Sequence, residues 1–426
     1  MPPILARAVI LPFSIGLVVL CFATAAPTAH FRHGESQGDV LYYERRALEM
    51  RNGELPYHDF YFEYPPGAIP VVIAPTFSPL SYALSFRLQQ WLLLVVVLLL
   101  TVLSLVRIGA SRARATTAAA LVGATPLLLG SVIFNRFDLW PAALVALALA
   151  LLLANRVTLA MVVLGAAIAT KLYPGAVAVM VVVWLARRHG GRFAARAAAT
   201  CIAAGLAVAF PFALFGFGGL GFSVYTQLSR GLEIESLGGS LLAAADRLGL
   251  YSSSVVGRMS FDFDGPVASL LLATQTILLL AALATIAGVL VRHPSPGVDE
   301  LMTVAAATVT AVVAFGAVFS PQFMVWLIPV VPLVARPIFM PASITFGAAL
   351  VLTNLWFPEH FGDLVTMTGS AAWLVLARNA AILVLLGMML GWLLRSTSRL
   401  APLRTPDGEG GEWGDPPAAS SAGEPP

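Results

Sequence analysis

The stretch that decides the fold is LQQWLLLVVVLLLTVLSLV (88–106), which runs directly into RIGASRARA (107–115). A helix needs about 20 apolar residues to cross a bilayer, and 88–106 is uncharged and nearly this long. Lys and Arg collect in cytoplasmic loops, and 107–115 contains three arginines. The two segments together predict a membrane-crossing helix whose carboxyl end lies in the cytoplasm.

The composition extends this prediction to the whole chain. The 426 residues are 58% hydrophobic and only 11% charged, with a mean hydropathy of +0.85. Soluble domains contain about 25% charged residues, so the chain is predicted to be an all-α, polytopic membrane protein. The net charge of +3 comes mostly from arginines on one side of the membrane, and needs no nucleic-acid partner to explain it. Cys21 and Cys201 lie within apolar runs, which predicts packing rather than a disulfide framework or a metal site.

The apolar runs allow about 11–13 transmembrane helices within a membrane domain at 1–400. The predicted spans are 9–27, 88–106, 116–134, 139–154, 157–170, 172–186, 197–216, 267–291, 301–319, 322–335, 338–356 and 370–394. The first could be a cleaved signal peptide, but a retained span is favoured because it helps to orient the later helices. Residues 67–79 are short and rich in proline, which indicates a re-entrant or interfacial segment. The Pro-, Gly- and Ser-rich end, 401–426, is predicted to be a disordered cytoplasmic tail.

The acidic residues provide an independent check on this orientation. When the arginine-rich loops are placed in the cytoplasm, 15 of the 17 acidic residues before the tail fall outside, and only Asp299 and Glu300 do not. Two large extracytoplasmic loops result, at 31–66 and 217–265. The short inner loops carry neither GxxxxGK[ST] nor GxGxxG. ATP-driven transport and cytosolic nucleotide-sugar chemistry are therefore disfavoured, and the external face is predicted to be the working face.

The first external loop carries the candidate base. Residues 31–66 contain seven acids and five tyrosines, and Asp39 lies a few residues beyond the first span. A carboxylate held at the membrane surface can act as a general base toward a hydroxyl group, although a lone acid in a charged loop is more often simply solvated. Glu44 and Glu63 remain alternative bases. Tyr64 belongs to the EYPP segment at 63–66, whose prolines favour extended backbone and equally suit a rigid re-entry into the membrane.

Three cations mark possible contacts to an anionic headgroup. Arg136 lies in NRFD (135–138), where Asp138 could orient it or simply pair with it at a helix junction. Lys171 is the only lysine in the chain and lies in a nearly continuous apolar stretch. Charge at that depth is costly and indicates a functional site, although the side chain could instead extend to the headgroups. Arg230 lies in RGLEIES (230–236), which could also be a plain polar loop.

Further polar residues lie in the later external loops. Glu233 and Glu235 could hold Arg230 or bind sugar hydroxyls. Gln322 belongs to a Ser-Pro-Gln break that could face a lipid-linked substrate or could be an ordinary turn between helices. The DFD sequence at 262–264 is a weak metal signal, since any acidic loop can contain it. Arg378, inside the last span, is predicted to pair with an acid within the bundle because a lipid-facing Arg would be costly.

Taken together, these motifs resemble those of the polytopic GT-C glycosyltransferases. The closest resemblance is to the glycosyltransferase 87 family of polyprenyl-phosphate-mannose-dependent α-mannosyltransferases of actinobacteria. The resemblance rests on the order and sidedness of GDVLYY (38–43), ELPYHDFYFEYPP (54–66), NRFDLWPA (135–142), ATKLYP (169–174), RGLEIES (230–236) and SPQFMVWLIP (320–329). It covers about the first 330 residues.

The resemblance implies a transferase of the cell envelope in the plasma membrane, with its active site on the extracytoplasmic side. Asp39 would deprotonate the acceptor hydroxyl, and a β-linked polyprenyl-phosphate-mannose donor would yield an α-mannoside by inversion. The acceptor would be a glycolipid or a glycan. The family uses no nucleotide sugar and often no obligate metal, so no cofactor is expected, although a divalent metal is not excluded. The implied donor-phosphate ligands are Lys171, Arg136 and Arg230, and the implied substrate contacts are Tyr42, Tyr64, Glu233, Glu235 and Gln322.

Other functions stay open at this stage. The chain could use another polyprenyl-linked sugar, such as arabinofuranose. A polyprenyl-lipid or sugar transporter or flippase would also explain the many spans and the lone Lys171. No internal repeat typical of transporters is apparent, however, and the charged residues cluster at one face. A non-catalytic subunit that binds a polyprenyl lipid is a third possibility.

Overall fold

The computed structural model describes residues 3–26, 39–257 and 260–398. The predicted tail at 401–426 and the start of the first external loop therefore lie outside the described residues. The α-helices are α1 (Pro3–Ala25), α2 (Asp39–Arg51), α3 (Ile69–Ile73), α4 (Tyr82–Arg107), α5 (Arg112–Leu129), α6 (Val132–Asn135), α7 (Leu139–Leu153), α8 (Val157–Ile168), α9 (Pro174–His189), α10 (Gly191–Leu228), α11 (Leu237–Arg247), α12 (Pro266–Arg292), α13 (Val298–Phe315), α14 (Met324–Leu327), α15 (Arg336–Asn354), α16 (Phe361–Val365) and α17 (Ala371–Ser398).

The architecture is that of a polytopic helical membrane protein, as predicted. Among the described residues, seven helices are long and apolar enough to cross a bilayer: α1, α4, α10, α12, α13, α15 and α17. Four shorter apolar segments accompany them, at Pro66–Phe77, Leu139–Leu153, Val157–Ile168 and Pro321–Leu333. The helices pack as neighbouring pairs, including α1 with α5, α8 with α10, and α15 with α17. The larger predicted number of 11–13 crossings stays a prediction.

The segment predicted to span the membrane at 322–335 is not a regular helix. It consists of α14 between two 3₁₀ turns, at Pro321–Phe323 and Val331–Leu333. Pro329 and Pro332 lack the backbone N–H that a continuing helix needs. Residues 324–335 are nevertheless buried, so this broken segment lies inside the bundle, where neighbouring elements surround its backbone.

The predicted loop at 217–265 is mostly ordered structure. Helix α10 continues as far as Leu228, and α11 lies near the middle of the segment. Three short strands in this segment depart from the all-α prediction. They are β1 (Leu232–Glu233), β2 (Val255–Gly257) and β3 (Phe261–Phe263), and they form an antiparallel sheet in the order β1-β3-β2. The backbone N–H of Glu233 also donates to Ala317 O at 3.1 Å, which ties this small sheet to the segment after α13.

The described part of the predicted first external loop, 39–66, also folds on the bundle. Helix α2 buries Val40, Tyr43 and Ala47 on one face, at about the three- and four-residue spacing of an amphipathic helix. Tyr43 and Tyr64 pack edge-on against Phe137, with ring centroids 5.7 and 4.7 Å away. This aromatic packing connects the loop to the start of α7, and so brings the loop's acids next to the polar residues of 135–138.

Candidate active site

A cavity of about 460 Å³ opens where the predicted external segments meet. Its lining comes from α2, from 63–65, from the α6–α7 junction, from the α8–α9 junction, and from 227–235, 260–261 and 316–326. Eight of the nine predicted site residues line it, although they are up to 283 positions apart in sequence: Asp39, Tyr64, Arg136, Lys171, Arg230, Glu233, Glu235 and Gln322. The structure therefore brings the predicted site together in one place.

Asp39 begins α2 and lies next to Arg136 at the cavity wall. The Arg136 Nε atom lies 2.8 Å from Asp39 Oδ2, in an ion pair rather than an aligned hydrogen bond. The Asp39 side chain is 35% exposed and that of Arg136 is 18% exposed. Asp39 therefore has both a fixed cationic partner and access to the open part of the cavity.

Asp138 pairs with Lys171. Both sequence interpretations of NRFD (135–138) had expected it to contact Arg136 instead. Its Oδ1 atom accepts hydrogen bonds from Lys171 Nζ and from Trp326 Nε1, both at 2.7 Å. Arg136 and Asp138 are two residues apart across a bend between α6 and α7, so their side chains reach different neighbours. Asp138 is 1% exposed. A carboxylate buried to this extent needs such hydrogen bonds to offset the loss of its hydration.

Lys171 is held among aromatic rings. Its Nζ lies 4.9 Å from the Phe137 ring centroid, 5.3 Å from that of Trp326, 5.5 Å from that of Phe323 and 5.8 Å from that of Tyr64. These rings attract the ammonium through their negative faces. The rings of Tyr173, Trp326 and Phe323 stack in sequence, with centroids 4.2 and 3.9 Å apart. The compact Lys head is thus fixed in position at the cavity wall.

Arg230 is the third cation of the site and contacts Glu63. Its Nη2 donates to Glu63 Oε1 at 2.9 Å. Burial raises the pKa of the Glu63 carboxyl above its ordinary value, and the charge of Arg230 opposes that rise. Tyr42 is not among the described residues that line the cavity. Its hydroxyl instead accepts the backbone N–H of Glu63 at 3.1 Å, so Tyr42 supports the site from behind.

Glu233 and Glu235 lie together at the inner wall, 5% and 3% exposed. Glu233 accepts from Phe319 N at 2.7 Å and from Ser320 Oγ at 2.8 Å. Burial raises the pKa of both carboxyls, and the charge of Glu233 adds to the rise at Glu235. Glu233 therefore holds the Ser-Pro-Gln break in place, which leaves Gln322 at the cavity wall.

Arg378 lies behind this pair rather than in the cavity. Its Nη2 donates to the backbone carbonyl of Glu235 at 2.5 Å, and its guanidinium lies 3.7 Å from the Phe319 ring centroid. The acids near Arg378 are Glu235 and Glu233, which interact with its charge, while its hydrogen bond goes to the main chain of Glu235. The side chain is fully buried in the bundle, as the cost of a lipid-facing charge requires.

The DFD sequence at 262–264 lies in the part of the chain that the structure describes. No group of three or more His, Cys, Asp or Glu side chains there could hold an ion. Asp262, the first acid of the DFD sequence, accepts instead from Ser260 Oγ at 2.7 Å.

The sequence reasoning missed the partner of Lys171 and most of its aromatic surroundings. Asp138 was visible only as a companion of Arg136, and Trp326 only as a residue one turn beyond the Ser-Pro-Gln break. The clearest available signal was chemical: a single lysine at membrane depth requires a counter-ion. Which of the external acids supplies it depends on the packing of segments far apart in sequence.

Comparison with known proteins supports one family. A sequence model of Glycosyltransferase family 87 matches residues 61–321, more than half of the chain. The match includes Glu63, Arg136, Lys171, Arg230 and Glu235, but begins after Asp39. No curated protein sequence matches the chain.

Proposed function

From the premise that this chain belongs to glycosyltransferase family 87, we propose that it transfers mannose from polyprenyl-phosphate-mannose to a hydroxyl group of a glycolipid or glycan acceptor. The reaction takes place on the extracytoplasmic face of the plasma membrane, in cell-envelope synthesis. Family membership places the chain among membrane glycosyltransferases, so the transporter interpretation is no longer needed to explain its many helices.

One observation carries the proposal: a partly exposed carboxylate, Asp39, shares one cavity with three cations. An inverting transfer to a hydroxyl group needs a base on the acceptor side, and a phosphate leaving group needs preplaced positive charge. Arg136, Lys171 and Arg230 supply that charge within the same cavity. The arrangement therefore fits a donor whose leaving group is a phosphate.

In the proposed reaction, Asp39 takes the proton of the acceptor hydroxyl as its oxygen attacks the anomeric carbon of mannose. The bond from that carbon to the phosphate oxygen breaks, and its electron pair stays on the departing lipid phosphate. Attack from the face opposite the phosphate converts the β-linked donor into an α-mannoside. The leaving group gains a negative charge, so it departs without needing a proton.

Each of the three cations already has an acidic partner, and this affects how a phosphate binds. Lys171 is held by buried Asp138, and Arg230 by Glu63. Arg136 pairs with Asp39, the proposed base, so protonation of Asp39 during the reaction frees Arg136 to attract the developing phosphate charge. Coupling of this kind stabilises the transition state more than the ground state, as catalysis requires.

The test is mannose transfer by purified enzyme from synthetic polyprenyl-phosphate-mannose to a mannoside acceptor. Loss of a general base lowers a rate by a factor of about 100 or more, so Asp39→Asn should lose at least that much. Glu44→Gln is the matched control, because Glu44 lies on the same helix α2 but is not among the described residues that line the cavity. We expect it to stay within a few-fold of wild type.

The same assay separates the alternatives. Near-normal transfer by Asp39→Asn, with a large loss in Glu63→Gln, would move the base to Glu63. Wild type could be inert with polyprenyl-phosphate-mannose but active with polyprenyl-phosphate-arabinofuranose. That result would revise the donor sugar and leave the proposed mechanism unchanged. A wild type that is inert with every polyprenyl-linked sugar contradicts the proposed function itself.

A further inference from the structure

The two buried glutamates at the inner wall are unequal in their hydrogen bonds. Both oxygens of Glu233 act as acceptors, from the Phe319 N–H and the Ser320 hydroxyl. A carboxyl group that only accepts at both oxygens is the ionised form. Of the two carboxyl groups, Glu233 is therefore the better stabilised as an anion.

Glu235 has a different environment. Its Oε1 atom is buried and has no hydrogen-bond partner among the described residues. Ser320 is also within reach of Glu235, but its single hydroxyl hydrogen is given to Glu233. Arg378 and Asn379 direct N–H groups to the backbone carbonyl of Glu235 instead of to its carboxyl group.

The charges that face Glu235 come from three elements. Burial raises the pKa of the Glu235 carboxyl and the charge of Glu233 in β1 adds to the rise, while Arg378 in α17 and Arg136 at the α6–α7 junction oppose it. The net direction is upward, which favours the neutral acid. A second negative charge beside Glu233 would be costly in so buried a place.

The charge balance of the cavity also favours a neutral Glu235. Among the described residues, five acids line it, Asp39, Glu63, Asp138, Glu233 and Glu235, against three cations, Arg136, Lys171 and Arg230. An ionised Glu235 would give these described residues an excess of two negative charges before a phosphate arrives. A neutral Glu235 reduces that excess, and its hydroxyl can donate where a carboxylate could only accept.

We propose that Glu235 holds a proton in the resting enzyme and donates a hydrogen bond from its carboxyl group to an oxygen of the donor's phosphate. The proposal rests on the proposed function in one respect, namely that a lipid phosphate enters this cavity. It makes donor affinity depend on the proton of one identified carboxyl group. The sequence suggested instead that Glu235 could hold Arg230 or bind sugar hydroxyls.

The test measures binding and not transfer, with the full chain in lipid nanodiscs. The probe is polyprenyl methyl phosphate, a sugar-free diester whose single charge does not change over the measured pH range, and polyprenol is the neutral comparison. Wild type should prefer the diester. Its Kd should rise as the pH passes above the pKa of Glu235, by up to about tenfold per pH unit if only the protonated form binds.

Glu235→Gln distinguishes this proton from others. Its amide always offers a donor and never ionises, so the pH dependence should flatten and the variant should bind more tightly than wild type at high pH. Glu44→Gln, which leaves the cavity intact, should keep the wild-type slope. A wild-type slope in Glu235→Gln, or no slope in wild type, overturns the proposal while leaving the phosphate donor in place.

Two further results have separate meanings. Equal affinity of wild type for the diester and for polyprenol would overturn the lipid-phosphate donor as well as the role of Glu235. Infrared difference spectra of wild type, recorded with and without the diester, do not depend on the folding of any variant. A protonated-carboxyl band should shift to lower frequency on binding, and the absence of any such change contradicts a hydrogen bond donated by Glu235.

Discussion

Lys171 has a structural role in addition to its proposed role at the phosphate, and sequence alone could not separate the two. Its position in the cavity wall suits a phosphate ligand, yet its nearest charged neighbour is the buried Asp138 at 2.7 Å. The side chains of Lys171 and Asp138 are 13% and 2% exposed, so each compensates the desolvation of the other. The same contact fixes Trp326, and through it the stacked rings of Phe323 and Tyr173.

Substitution of Lys171 by Met should therefore destabilise the protein as well as impair transfer. Removing one partner of a buried ion pair costs about 3–5 kcal/mol, because Asp138 is left charged and buried. Thermal unfolding in detergent would measure the loss. Arg45→Met is the control. The Arg45 side chain pairs with Glu49 but is 73% exposed, and exposed ion pairs contribute about 0–1 kcal/mol to stability.

A double variant, Lys171→Met with Asp138→Asn, distinguishes the structural role from the catalytic one. It removes both charges, so much of the lost stability should return, while transfer should stay low if the ammonium also serves the phosphate. Recovery of transfer together with stability would assign Lys171 a purely structural role.

At the scale of elements, α10 shows how a kink positions the site. The backbone at Gly216 is not helical, with φ −139° and ψ 44°, and a Cβ there would lie 2.7 Å from the carbonyl carbon of Tyr57. Beyond the kink, Ser223 Oγ and Gln227 Nε2 donate to Glu63 O at 2.8 and 3.2 Å. The end of α10 is thereby docked on the first external loop, and it carries Arg230 to Glu63.

Gly216→Ala should push α10 and the Tyr57 segment apart. Forcing extra volume into close packing costs about 1–3 kcal/mol, so thermal stability should fall, and transfer with it as Arg230 moves away from Glu63. Gly218→Ala provides the comparison on the same helix, because no described atom lies within 4 Å of its added Cβ. Its effect on stability should be neutral or favourable, by about 0.5–1 kcal/mol. Equal losses in both variants would contradict the close-contact explanation.

At the scale of the whole molecule, the two ends of the bundle differ in chemistry. At one end, arginines cap main-chain carbonyls between segments: Arg114 donates to Val334 O, Arg187 to His293 O and Arg188 to Pro296 O. At the other end lie the cavity and its five acids. Since arginine-rich loops stay in the cytoplasm, this asymmetry favours an extracytoplasmic site.

Cysteine accessibility tests that orientation directly. In a variant without Cys21 and Cys201, Glu54→Cys marks the cavity end and Arg192→Cys the arginine-rich end, and both positions are exposed. A membrane-impermeant maleimide added to intact cells with a permeable outer envelope should label only Glu54→Cys. Both should react after lysis. Labelling of Arg192→Cys alone in intact cells would place the cavity on the cytoplasmic side.

Composition and periodicity were sufficient for the class of fold, because the bilayer restricts a 58% hydrophobic chain to helices whose backbone groups are satisfied internally. They also separated the acidic external segments from the arginine-rich ones, and so collected Asp39, Arg136, Lys171, Arg230 and Glu235 as candidates. Local pattern failed where proline breaks a buried segment, as at 322–335.

The pairing of these charges was decided only by the tertiary structure. The sequence placed Arg136 and Asp138 side by side, but the fold joined Arg136 to Asp39 and Asp138 to Lys171. It also placed both oxygens of Glu233 against Phe319 and Ser320, and left an oxygen of Glu235 without a partner among the described residues. The reason is physical: hydrophobicity is a property of each residue and is readable along the chain, whereas a buried charge is stabilised by the atoms within a few ångströms of it, and those come from segments far away in sequence.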